Sequence, residues 1–115
     1  MTRVHDLAHA RAGDKGDTSN VVVVAYDAAA WARLDAELTE VRVADAFAPL
    51  GLRRVRRYRL PRLHALNFVL EGVLSGGVSR SVAIDPHGKA LSSLMLGIEM
   101  PDTEIRPLSP RDGSS

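Results

Sequence analysis

The chain has 115 residues, 45% apolar, 25% charged and only 4% aromatic, with no cysteine. A chain this size buries roughly 65% of the surface its unfolded form exposes, enough for one core, so a single domain is expected. The missing cysteines exclude disulfides, a thiolate nucleophile and Cys-based metal sites. No run of about 18 apolar residues occurs, and MTRVHDLAHAR is charged where a signal peptide needs an apolar stretch, so a soluble cytoplasmic protein is expected. Net charge is +1, yet Arg53, Arg54, Arg56, Arg57, Arg59 and Arg62 form a ribbon without an acid. Setting those six aside leaves −5 on the remainder.

Residues 3–9 (RVHDLAH) read as a short first strand with Val4 and Leu7 inward, and ARAGDKGDTSN as an ordered polar loop. The β-branched run VVVVAY (21–26) predicts a central strand covered on both faces. Asp27 then caps a helix with Trp31, Leu34 and Leu38 on one stripe. Thr39 caps a second helix carrying Val43, Phe47 and Leu50, ended by Pro49 and Gly51. The ribbon LRRVRRYRL (52–60) reads as an exposed or edge strand.

Pro61 to Leu74 is expected to form a third helix, closed by Ser75, Gly76 and Gly77. Its core stripe would be Leu66, Val69, Leu70 and Val73, with His64, Asn67 and Glu71 on a narrow polar stripe. Leu63, Phe68 and Leu74 would then be left for an interface, so the isolated chain is expected to be a homo-oligomer. Residues 78–85 alternate like a strand, Pro86-His87-Gly88 turns the chain, and 89–100 fits a strand or a short helix followed by a strand and is read as mostly strand. Residues 101–115, rich in proline and ending GSS, are expected to be a mobile tail after a domain spanning 1–100. The sum is an α+β two-layer sandwich: four or five mainly antiparallel strands with helices on one face.

The densest set of functional side chains is Arg11, Gly13, Asp14, Lys15, Gly16, Asp17 and Asn20. Glycines at 13 and 16 suit an anion-binding nest, with Arg11 and Lys15 supplying charge. The spacing is neither that of a P-loop nor that of a calcium loop. The structural alternative is that Asp14 and Asp17 satisfy their own turn and Asn20 caps a strand. The arginine ribbon has three readings: a nucleic-acid surface, a solvated edge, or a contact for an acidic partner or phosphorylated ligand. Because Tyr58 is the one aromatic there, base stacking is poorly served and nucleic acid is the least favoured. His5 and His9 lack a third ligand, so no metal is expected, and no cofactor is indicated. His64, Asn67 and Glu71 read either as a general acid/base group or as the polar seam of a packed helix.

The stretches HDLAHARAGDKGDTSNVVVVA and LPRLHALNFVLEGVLSGGVSRSVAIDPHGKAL resemble the small ferredoxin-fold domain associated with AtuA, the acyclic terpene utilisation protein. The resemblance covers about residues 4–100. One family pattern falls on Arg11, Gly13, Asp14, Lys15, Gly16 and Asn20. A second runs from Leu60 and Pro61 through Asn67 to Gly72, and a glycine turn leading to an arginine falls on Gly76, Gly77 and Arg80. The sequence departs at Val78, where glycine is more usual, and in the density of the ribbon. The resemblance implies a ferredoxin-like domain occurring as a separate short polypeptide, with a large AtuA-like subunit as partner. It also implies a link to degradation of branched terpenoid or related acyl-CoA compounds, with a CoA thioester or carboxylate as ligand. The expected function is therefore a small subunit that is not catalytic alone. The alternatives are a lyase or hydratase using Asp14, Lys15 and Asp17, and an RNA-binding module on the ribbon.

Overall fold

The computed structural model describes residues 2–15, 18–73 and 89–101. Its elements are β1 (Thr2–Arg3), β2 (Ala8–Lys15), β3 (Thr18–Ala25), α1 (Ala28–Glu37), α2 (Glu40–Phe47), β4 (Arg54–Leu60), β5 (Ala65–Glu71), α3 (Lys89–Leu96) and β6 (Glu99–Met100). Strands β2-β3-β5-β4 form a four-stranded sheet, antiparallel throughout, while β1 and β6 pair separately. The fold class is α+β with the described helices on one face, as expected. A standard βαββαβ sheet would place its last strand beside the first. Here the hairpin partner β2 occupies that edge beside β3, and the last described strand pairs with β1 instead.

Period-two burial explains the strands. Ser19, Val21, Val23 and Ala25 of β3 are buried, and their register partners on β5 put Leu66, Phe68 and Leu70 on the same face. Leu34 and Leu38 from the α1 region, Val43 and Phe47 from α2, and Leu91 and Met95 from α3 close over them in one cluster. Ala8, Ala10 and Ala12 line the inward side of β2, where short side chains let α3 approach the strand closely. The caps form as read: the Asp27 carboxylate accepts from the Ala30 amide at 2.8 Å, and the Thr39 hydroxyl from the Arg42 amide at 3.2 Å.

Four expectations are corrected. The polar stretch after His9 is not a loop: β2 and β3 pair from Ala8↔Ala25 to Lys15↔Thr18, making Arg11, Gly13, Asp14 and Lys15 strand residues. Gly13 does not have the positive φ that a nest requires. Residues 3–9 are divided between β1, a 3-10 turn at Val4–Asp6 and the start of β2. Residues 61–74 do not form a helix: Pro61–Leu63 is a single 3-10 turn, His64 takes φ 51°, and Ala65–Glu71 is the central strand β5. Proline is satisfied at the start of either helix type, and apolar residues at 66, 68 and 70 fit a strand as well as a helix. The helical argument for an interface falls with it, and Phe68 leaves the set. Phe68 is wholly buried in the chain's own core, whereas Leu63 is 66% exposed. Residues 89–96 are helical, with Leu91 and Met95 four apart on the buried side, so strand is confined to β6. Leu74, Gly76, Gly77, Val78, Arg80 and the strand expected over 78–85 lie outside the described residues, as do the turn at 86–88 and the tail beyond Pro101.

Candidate functional site

Strand alternation leaves a second sheet face on which no described helix packs. It is built from rows of register partners. One row runs Arg11, Val22, Asn67, Tyr58; the next runs Gly13, Asn20, Val69, Arg56. At its centre the Asn20 carboxamide donates from Nδ2 to Oδ1 of Asn67 at 3.2 Å, joining β3 to β5 diagonally. A Cβ at Gly13 would stand 3.2 Å from Asn20 Oδ1, so glycine leaves room beside that oxygen. Val22, Val24 and Val69 are half-buried around the pair, and Arg11 on β2 is exposed with no ion pair among the described residues. Toward β4, Arg56 lies 3.6 Å from the Glu71 carboxylate. Hydrogen bonding to the Tyr58 oxygen, then the charge interaction with that oxygen, holds the Arg56 guanidinium above its ordinary value, with a smaller contribution from Glu71.

The arginine ribbon is two surfaces, because successive residues of β4 face opposite ways. Arg54 and Arg56 share the open face, while Arg57 and Arg59 turn toward the helices. Arg59 grips Asp35 of α1 with Nε–Oδ1 at 2.7 Å and a second guanidinium nitrogen to Oδ2 at 2.8 Å. Arg57 reaches Asp35 Oδ1 at 3.1 Å and donates to the carbonyls of Leu38 at 3.0 Å and Asp35 at 2.6 Å. The Arg59 hydrogen bond leads the causes that lower the Asp35 carboxyl below its ordinary 3.8, against a partial opposing effect of burial. On the β4 edge, the Arg57 amide donates to the Glu40 carboxylate at 2.8 Å, covering a backbone group that another chain could pair with.

Of the residues singled out from sequence, the structure brings Arg11, Gly13, Asn20, Asn67 and Glu71 onto one face. Asp14 and Lys15 sit in register at the far end of β2, with Asp14 opposite Ser19 and Lys15 opposite Thr18. Gly16 and Asp17 lie outside the described residues. His64 separates from Asn67 and Glu71: its ring stacks on Trp31, with centroids 6.1 Å apart and planes 15° apart, and Arg59 lies 6.0 Å above the same indole. Sequence reasoning missed Val22, Val69, Arg56 and Tyr58 as neighbours of the asparagines. The available signal was the period-two alternation of 65–71, which sets Asn67 beside Val22 once it pairs with β3.

The model of the AtuA ferredoxin-like domain matches residues 2–101. The chain belongs to that family. No curated protein and no solved structure matches it. Within this AtuA ferredoxin-like domain, the two long motifs occupy neighbouring strands, the first on the β2–β3 hairpin and the second from the β4–β5 turn through β5. Asn20 and Asn67, one from each, are their point of contact on the open face.

Proposed function

We propose that this domain is the small subunit of a two-chain assembly, docking through its open sheet face on a large AtuA-like chain and helping to shape a site for an acyl-CoA or carboxylate ligand in branched terpenoid or related catabolism. The observation that carries this reading is the convergence of Arg11, Gly13 and Asn20 with Asn67 on the face that no described helix covers. That face mixes exposed Tyr58 and Leu60 with half-buried valines and a polar centre. Apolar area around a few hydrogen-bonding groups is the composition of a protein interface. The domain is read as non-catalytic by itself.

An RNA-binding role is disfavoured by the ribbon's division, since Arg57 is held by Asp35 and by carbonyls of the α1 end and the Arg59 charge is paired with the same carboxylate. The test is co-expression with the large AtuA-like chain of the same organism and purification by a tag on that chain. Stoichiometric recovery of the small chain is expected. Recovery of the large chain alone, fully folded and with its ligand affinity unchanged by adding the small one, would overturn the proposal.

A further inference from the structure

The chain contains two asparagines and no glutamine, so Asn20 and Asn67 are its whole complement of carboxamides, and they meet on the open face across 47 residues of sequence. We infer that this pair, with Arg11, recognises the carboxylate of a short aliphatic acid. The inference deepens the proposed function by naming the group bound, and it rests on the reading of that face as functional.

The charge of Arg11 favours an anion, and the carboxamides add donors to it. Two carboxamides carry four N–H groups, and one is used between them, so three remain whichever amide donates. Neither side chain has another hydrogen bond among the described residues. Arg11 adds a planar fork of donors suited to the two oxygens of a carboxylate. It flanks Val22 on one side while Asn67 flanks it on the other, at about 10 Å for two strand spacings, so a carboxylate between them meets both.

Charge limits the anion to one negative charge. The nearest other cation toward β4, Arg56, is already beside Glu71, whose carboxylate shares this face and opposes a dianion. The aliphatic part follows from Val22, Val24 and Val69, half-buried beside the polar centre, which offer apolar surface to a hydrocarbon. Gly13 keeps the approach open, because any Cβ there would crowd the Asn20 oxygen.

The probe is butanoate, with butanol and inorganic phosphate as controls, titrated into the 15N-labelled chain. With two asparagines and no glutamine, the spectrum contains two side-chain NH2 pairs, both belonging to the site. Butanoate should shift both saturably, butanol should shift neither, and phosphate should need at least tenfold higher concentration. Arg11→Ala, a substitution at an exposed position, should weaken butanoate about tenfold, the loss of one charge-assisted contact. Unmoved NH2 signals, equal response to phosphate, or unchanged affinity in Arg11→Ala would each overturn the inference. Loss here with co-purification intact would remove the ligand and leave the docking. Butanoate binding without co-purification would leave the ligand and remove the docking.

Discussion

Replacing Asp35 by alanine removes the carboxylate that holds two arginines of β4 against α1. Arg59 contributes the shorter contacts, but its side chain is 52% exposed, so solvent screens its pair and it adds little to stability. Arg57 is 18% exposed, and its charged hydrogen bond to Asp35 contributes about 1.3 kcal/mol. The substitution does not strand the Arg57 charge, because its bonds to the backbone carbonyls of Leu38 and Asp35 survive it. Alanine's better helix propensity returns about 0.5 kcal/mol, leaving a net loss of about 0.8 kcal/mol from the Arg57 contact and a fall in Tm of roughly 3–6 °C. The pH dependence has a definite sign. Since the folded carboxyl lies below its ordinary 3.8, the contribution is fully present above 3.8 and is lost as pH falls through the lower folded value. Thermal melts followed by circular dichroism should therefore show a gap between wild type and Asp35→Ala at pH 7 that closes in acid below 3.8. An unchanged Tm at neutral pH, or a gap that persists in acid, would refute the assignment of Arg57 and Arg59 to structure.

Phe68→Ala should cost about 3–5 kcal/mol in urea unfolding without altering the elution volume of the folded fraction, since the ring fills the core; a folded variant that changes oligomeric state would return Phe68 to an interface. Gly72 has φ +100°, and a Cβ there would stand 2.9 Å from the Gly51 carbonyl oxygen, so Gly72→Ala should cost about 1–3 kcal/mol. Gly97, where the nearest atom lies at 3.4 Å, should accept alanine within about 1 kcal/mol; equal melting temperatures for the two variants would contradict this contrast. Fluorescence titration with single-stranded RNA at about 50 mM salt should show no binding, and a steep salt-dependent affinity would reinstate the ribbon as a nucleic-acid surface.

The elements that sequence reasoning recovered are those decided locally. Asp27 and Thr39 cap the helices they precede, and four consecutive valines keep β3 a strand whatever surrounds them. The errors lie where two periods fit the same residues. In 61–74, apolar positions 66, 69, 70 and 73 make a helical stripe while 66, 68 and 70 make a strand face. The choice falls to pairing with Thr18–Val24, which no local window contains. In 8–15, the alternation is carried by alanines, weak strand formers, and is masked by the turn signal of Gly13 and Asp14. Residues 89–96 show the reverse ambiguity: apolar residues interrupted by Ser92 and Ser93 fit a strand or a short helix, and the segment covers β2 as a helix. The candidate site shares the fate of β5. Both motifs were visible as residues, but their meeting at Asn20 and Asn67 depends on the register of that central strand.

The central claim is that the open sheet face, rather than the helical side, meets the large AtuA-like chain. Two exposed positions test it: Tyr58 on the open face, 45% exposed, and Val41 on α2, 71% exposed. Each becomes glutamate in the small chain, circular dichroism verifies the fold, and affinity for the purified large chain is measured by calorimetry. A buried charge at an interface costs several kcal/mol of association, so Tyr58→Glu should weaken binding at least a hundredfold while Val41→Glu leaves it within about twofold. Binding retained by Tyr58→Glu and lost in Val41→Glu would place the partner on the helices and contradict the account.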